Sequence, residues 1–384
     1  MPLLGWPLVI TLVIGSAAAV GGTLMLWSRV RGPGPARVAQ RVAMVVLCQV
    51  TAVLVVAAGI NNYGYFYGSW SELLGQQTGA TSIVHGTGVV ASGPTGRPRV
   101  PLSVAPEKIG LAAVVAASWS TSAQWPTRGR IEALQVRGAR SGLSEPALVY
   151  LPPQYFQPRY AHTRFPGIEV LTGYPGTTVA LVNRMGYPDV LLKQIVQHRA
   201  RPMVLVMLRP TVAPPRDTEC TDVPGGPLAL TDLAMDVPAA IDNAFRVRPT
   251  GWGAIGDSTG GYCAVKLALV HSDVFAAGVA LSGYYHTLHD STTGDLWGGS
   301  SVLRNLNNPE WLLAHQPQPP VSLLLTVGTA ERGPNGVRDT RRFLHLVRPP
   351  LRADAILVPH AGHNFADWLT LMPTSLDWLS RHLA

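Results

Sequence analysis

The stretch WGAIGDSTGGYCAVKLALV, residues 252–270, changes its character in the middle. Residues 252–256 form a short apolar run suited to a buried strand, and residues 262–270 repeat their apolar positions as a helix does. Between them Gly256-Asp257-Ser258-Thr259-Gly260 matches G-x-S-x-G, with Gly261 following. A strand that turns this sharply into a helix needs flanking positions without side chains, and it lifts the serine hydroxyl above the sheet edge. The blander reading is a glycine-rich turn with an incidental serine; the strand before it and the helix after it favour the elbow. Gly251, Gly253 and Gly256 also satisfy G-x-G-x-x-G, but they overlap the strand and do not follow it, so a dinucleotide loop is rejected.

Outward from the elbow, short β-rich runs alternate with helical stretches. Strands are expected at residues 131–136, 147–151, 168–172, 203–208, 252–256, 276–281, 321–327 and 353–358. Helices are expected at 179–198, 230–245, 260–271, 337–346 and 365–383. Runs such as MVLVML and VSLLLTVG are apolar throughout, as strands covered on both faces are. The alternation predicts a mostly parallel sheet flanked by helices, an α/β architecture, over residues 130–384.

A serine hydroxyl is a weak nucleophile until a base takes its proton, and the base needs an acid to orient it. In a fold with such an elbow the chain order is Ser, then Asp or Glu, then His. Glu331 follows the run ending at Val327, and His363 lies in the loop after the last strand, directly before the final helix. His360 is the rival base, a packed loop histidine by the plainer account. Asp339, in a helical stretch, and Asp354, at a strand start, are rival acids, and a solvated Glu331 is the plainer reading of that residue. An oxyanion needs backbone N–H donors. Thr259, next to the serine, supplies one; the loop Gly173-Tyr174-Pro175-Gly176 supplies the other from Tyr174, because Pro175 has no N–H.

Other clusters carry less. His286, His289 and Asp290 are spaced like metal ligands but lack further partners, so substrate contact or plain surface is the better reading. Asp217, Glu219 and Asp222 match no calcium loop, and a loop pinned near the site by Cys220 is the preferred reading; neither metal nor cofactor is expected. Cys220 and Cys263 form a candidate disulfide, whereas Cys48 sits in an apolar run as a small apolar residue. Arginine carries nearly all of the +8 net charge, the only lysines being Lys108, Lys193 and Lys266. The arginines are scattered without interleaved aromatics, which gives nucleic-acid binding little support.

Hydrophobic residues are 47% of the 384 and charged residues only 14%, and the excess sits at the N-terminus. No charge falls between Pro2 and Trp27, and residues 42–60 form a second uncharged run; about 20 apolar residues cross a bilayer core. Arg29, Arg31, Arg37 and Arg41 lie between the runs, so this loop is expected in the cytoplasm and both chain ends outside. A cleaved signal peptide would carry its charge before the apolar run, not after it. Tyr63, Tyr65, Phe66, Tyr67 and Trp70 then fall where an interfacial belt would sit. The expected organisation is a transmembrane hairpin at 1–62, an extracytoplasmic spacer at 63–129 and a catalytic domain at 130–384. Residues 75–106 read as Gly/Ser/Thr/Pro-rich linker, and residues 109–119 as a short element packing on the domain or the membrane surface.

Three segments, PALVYLPPQY, GDSTGGYCAVKLALVHSDVFAAGVALSGYY and HAGHNFADW, resemble the esterase D and mycolyltransferase branch of the α/β-hydrolases from about Glu132 onward. The chain looks most like actinobacterial esterases with an N-terminal membrane hairpin. The resemblance implies a Ser258–Glu331–His363 triad and acyl transfer through an acyl-serine. It departs from the mycolyltransferases at YPGTTVALVNRMGY, which has Arg184 but no acid before Asp189, so a trehalose acceptor is not supported. Thr259 replaces the methionine usual after the nucleophile, and the family's frequent excursion after the seventh strand keeps Asp339 in view. The expected function is a membrane-anchored serine esterase or acyltransferase acting on an ester of a lipid, glycan or small molecule. The alternative is a catalytically idle hydrolase fold serving as a binding or scaffold module at the bilayer. The oligomeric state is not legible.

Overall fold

The computed structural model describes residues 3, 6–64, 70–73 and 106–383. Tyr65, Phe66 and Tyr67 of the expected belt, and nearly all of the linker, lie outside the described residues. The chain divides into two units, Met1–Gln77 and Thr78–Ala384.

The first unit contains two long helices, α1 (Trp6–Leu26) and α2 (Gly34–Gly64). Their apolar side chains point outward: Leu24 is 75% exposed and Met25 71%. At ~1.5 Å per residue α1 is about as long as a bilayer core is thick. Both helices are long and apolar enough to cross a membrane, with mean hydropathy 2.0 and 2.5. They pack on each other, with Thr23 Oγ1 3.3 Å from Cys48 Sγ and the Arg41 guanidinium 4.9 Å over the Trp27 ring.

The second unit is an eight-stranded sheet of β1 (Arg130–Arg137), β2 (Ser144–Leu151), β3 (Gly167–Leu171), β4 (Val204–Leu208), β5 (Trp252–Asp257), β6 (Phe275–Leu281), β7 (Ser322–Gly328) and β8 (Arg352–Val358). Their order is β1-β2-β4-β3-β5-β6-β7-β8. β2 runs antiparallel to both of its neighbours, and every other pairing is parallel. From β3 the chain moves one way to β4 and then returns past β3 to β5. The sheet therefore reverses its direction of growth at β3–β5, the kind of switch point beside which open α/β sheets bind ligands.

β3, β4 and β5 are buried along their whole length, which accounts for the unbroken apolar run of β4; β3 also encloses Glu169, and β5 ends in Asp257. Helix α3 (Pro106–Trp119) lies against β1 and β2, and its Trp119 ring meets Tyr150 of β2 edge-on with centroids 6.1 Å apart. The helix expected over 179–198 is two, α4 (Thr178–Asn183) and α5 (Tyr187–Val196), because Gly186 adopts a left-handed conformation (φ 65°) between them. The stretch from 230 likewise breaks into a wide turn at Asp232–Asp236 before α6 (Val237–Ala244). Helix α7 (Thr259–Val270) leaves the elbow. Among the described residues, the helices longer than four residues that escaped the sequence reading are α8 (Ser301–Leu306) and α9 (Pro309–His315), capped by the side chains of Ser300 and Asn308. Helices α10 (Val337–Leu346) and α11 (Phe365–His382) complete the layers.

Candidate active site

Ser258 follows β5 directly and is held at φ 53°, ψ −120°, a region that costs a non-glycine residue about 1–3 kcal/mol. The glycines permit the turn. A Cβ on Gly256 would lie 2.4 Å from the Gly260 backbone, and one on Gly260 would lie 2.3 Å from Leu171 O. The Ser258 N–H donates to Leu281 O at 2.9 Å, which fixes the elbow to the end of β6.

The next residue, Ser282, connects that strand end to the acid. Ser282 Oγ donates to Glu331 Oε1 at 2.8 Å, and the Gly328 N–H donates to the same oxygen at 2.6 Å. The other oxygen, Oε2, accepts from His363 Nδ1 at 2.9 Å. Trp368 Nε1 donates to Ser282 Oγ at 2.9 Å, and its ring stands edge-on to His363 with centroids 4.9 Å apart. The Glu331 side chain is 1% exposed and His363 38%, so a buried acid carries an imidazole that reaches solvent. Ser258, Glu331 and His363 thus come from the ends of β5, β7 and β8 at one edge of the sheet. Among the described residues no hydrogen bond joins Ser258 Oγ to His363, a contact that tightens in such sites when substrate enters.

The rivals lie elsewhere. Asp339 is bound to Arg342 Nη1 at 2.7 Å, and Asp354 accepts from Trp378 Nε1 at 2.7 Å. His360 is exposed, and its backbone N–H donates to Thr329 Oγ1 at 2.8 Å. Asp290 accepts from Thr292 and Thr293 in a local turn, while His289 meets the Trp297 ring. Among the described residues no group of three or more His, Cys, Asp or Glu could hold a metal ion.

The loop after β3 passes beside the elbow, since a Cβ on Gly173 would lie 3.1 Å from that of Ser258. The Gly173 N–H donates to Asp257 Oδ2 at 2.9 Å, and Tyr174 is next along the loop. Thr259 is the first residue of α7, where backbone N–H groups have no partner within the helix. Burial pushes the Asp257 carboxyl up to about 6, although the Gly173 N–H and the nearby His363 pull it down.

Below Thr259 lies a polar cluster that spacing did not reveal. Thr259 Oγ1 donates to Asp217 Oδ2 at 2.9 Å, and the Glu219 N–H donates to Asp217 Oδ1 at 3.0 Å. Tyr284 OH donates to Glu219 Oε1 at 2.7 Å. Burial raises both carboxyls and lowers the Lys266 ammonium, which is fully enclosed. Cys220 and Cys263 are joined, with Cα atoms 5.9 Å apart. The sequence signal available for this cluster was the crowding of acids around Cys220; nothing in it pointed to Thr259.

An elbow serine at the switch point of a mostly parallel sheet defines an α/β-hydrolase. The Esterase family model, described as Putative esterase, matches residues 142–377, and the chain belongs to that family. It is accordingly a carboxylic-ester hydrolase or acyltransferase. The fold is similar to an S-formylglutathione hydrolase from Agrobacterium tumefaciens (TM-score 0.57, 17% identity, 70% of this chain and 99% of that one). It is also similar to FphF, a fluorophosphonate-binding serine hydrolase of Staphylococcus aureus (0.53, 17%, 66% and 98%), and to MPT51 (FbpC1) of Mycobacterium tuberculosis (0.50, 16%, 66% and 99%). At these identities the likeness is one of fold. Among curated proteins none matches the chain in sequence.

Proposed function

We propose that the chain is a membrane-anchored, extracytoplasmic serine esterase or acyltransferase in which Ser258 is the nucleophile, His363 the base and Glu331 the orienting acid. The observation that carries this reading is the 2.9 Å contact of Glu331 with His363 Nδ1, made at the sheet edge that displays Ser258. With Nδ1–H held by the carboxylate, Nε2 is the nitrogen that takes the serine proton. Ser258 Oγ attacks the ester carbonyl, and the N–H groups of Thr259 and Tyr174 receive the oxyanion, each such donor contributing about 10²–10³ in kcat. Gly173 is committed to Asp257 and Pro175 has no N–H, so Tyr174 is the donor position this loop offers. Collapse expels the alcohol with the proton from His363 and leaves an acyl-serine, which water or a second alcohol then releases.

The substrate we propose is an ester of an envelope lipid, a glycan or a small molecule. The proposed hairpin at 1–62 anchors the enzyme, the spacer at 63–129 tethers it, and residues 130–384 do the chemistry outside. Arg29 and Arg31 between the two apolar helices, with Arg37 and Arg41 in the opening turns of α2, support that orientation. A joined cysteine pair suits an oxidising space.

One experiment separates the parts of this reading. A membrane-impermeant fluorophosphonate applied to intact spheroplasts should label the protein, and peptide mapping should place the adduct on Ser258. Ser258→Ala should abolish both labelling and ester turnover. Labelling only after lysis would reverse the topology; an adduct elsewhere, or full turnover in Ser258→Ala, would remove the nucleophile.

A further inference from the structure

Both proposed oxyanion donors are fastened by side chain to one segment, residues 215–220. Tyr174 OH donates to Pro215 O at 2.5 Å, and Thr259 Oγ1 donates to Asp217 Oδ2 at 2.9 Å. The two donors arrive from different strands, Tyr174 after β3 and Thr259 after β5. The Gly173–Asp257 bond ties the two loops at their roots, and beyond it the placing of Tyr174 and Thr259 depends on what joins the loops above the sheet.

The segment is itself fixed at several points. Cys220 is bonded to Cys263, one turn along the helix that begins at Thr259. Lys266, a turn further, donates to Cys220 O at 2.9 Å, Thr221 Oγ1 at 3.0 Å and Glu219 O at 3.2 Å. Arg216 donates to Thr293 O at 2.7 Å and to Asp295 O at 2.6 Å, tying in the loop after β6. Glu219 and Cys220 both hold positive φ, 44° and 43°, a conformation that persists only where the surroundings over-determine it. Enclosing an ammonium and two carboxyls is costly, and this cluster does so to secure a loop with no nucleophile, base or acid of the triad.

We propose that residues 215–220 form a strap that sets the separation of the two oxyanion donors, with Asp217 as its positioning residue for Thr259 and the Tyr174 phenol as its second attachment. This rests on the oxyanion-hole reading above. Donors aimed at the developing charge act only when placed to within about half an ångström, so a slack strap costs rate in the transition state and little in substrate binding.

The test compares an ester with its thionoester, in which sulfur replaces the carbonyl oxygen and accepts hydrogen bonds poorly. Tyr174→Phe and Asp217→Ala should each lower kcat for the oxygen ester on the order of 10-fold or more, with KM changed less than about threefold. The thionoester, which gains little from the donors, should lose far less, so the oxygen-to-sulfur rate ratio should fall in both variants. A defect in general folding would lower both rates together and leave the ratio unchanged. Tyr174→Phe deletes one hydroxyl at the surface and keeps the ring, so it remains decisive if Asp217→Ala does not fold. An unchanged ratio in Tyr174→Phe overturns the strap while Ser258 labelling stands; turnover by Ser258→Ala overturns the reading beneath it.

Discussion

Glu331 and Asp217 are both buried carboxyls one hydrogen bond from a residue of the proposed reaction, yet they are supported differently. Glu331 receives Gly328 from its own turn, Ser282 from the neighbouring strand end, and His363 from the strand beyond. The ends of β6, β7 and β8 supply all three, and parallel strands fix those ends relative to one another. Asp217 sits on a long loop after β4, and its partners are Thr259 and the backbone of Glu219. Among the described residues no strand hydrogen bond holds that loop; a disulfide, Lys266, Arg216 and Tyr284 do. A group that must answer a developing imidazolium charge is placed where the sheet is rigid. A group that only locates a neighbour can stand on a loop, provided the loop is fastened elsewhere.

The strongest way to break this contrast is at the sheet side. Glu331→Gln should leave the fold intact and lower kcat by about 10²–10⁴, because the imidazolium loses its counter-charge. Asp339→Asn breaks only the contact with Arg342 and should change kcat by less than about threefold. Steady-state kinetics on a p-nitrophenyl ester decide between them. The opposite pattern would move the acid to Asp339 and leave the sheet-end argument without its example.

The strap side should respond in stability before rate. The bond between Cys220 and Cys263 closes 43 residues of separation. Chain entropy assigns a loop of that length roughly 4 kcal/mol, an upper figure where the reduced chain keeps structure. Unfolding free energies from denaturant titrations with and without reductant should therefore differ by about 2–4 kcal/mol. A difference near zero would mean that Lys266 and Arg216 hold the loop unaided.

The same contrast explains what was legible. Central strands such as β4 and β7 could be read because burial on both faces leaves an apolar run, whereas the edge strands β1 and β8 are partly exposed and were legible only from their β-rich composition. The placement of the elbow, Glu331 and His363 was legible because each follows a strand end in fixed chain order; their roles are those proposed above. Ser282 and Trp368 were passed over although both lie inside quoted segments, since a hydroxyl bridging to a carboxylate leaves no periodic trace. The partnership of Asp217 with Thr259 spans 42 residues and depends on positive φ at Glu219 and Cys220, neither of which composition encodes. The break at Gly186 was visible as a glycine, but tertiary context decided that it ends a helix. The pair α8 and α9 is short, and short helices are stabilised by packing and caps more than by pattern.

Asp257 lies at the seam between the two sides, accepting from Gly173 of the oxyanion loop and facing His363, and it allows the smallest effect to be measured. Its carboxyl titrates at about 6 in the folded chain against an ordinary 3.8, with burial as the main cause. The native state thus binds this proton more tightly than the unfolded chain does. The stability it contributes is complete below pH 3.8 and is lost as pH rises through about 6. A shift of about two units corresponds to no more than roughly 3 kcal/mol. Asp232, Glu169 and Glu219 are raised in the same direction by burial, so the whole chain should lose stability over this range and a single profile would not isolate Asp257. The difference between wild type and Asp257→Asn isolates it, because the amide keeps an oxygen for the Gly173 N–H and cannot ionise. Urea unfolding at pH 4.5 and pH 7 should show wild type losing more stability than the variant. A difference that does not change with pH would mean that Asp257 keeps an ordinary carboxylate beside the elbow, and that the seam belongs electrostatically to the His363 side.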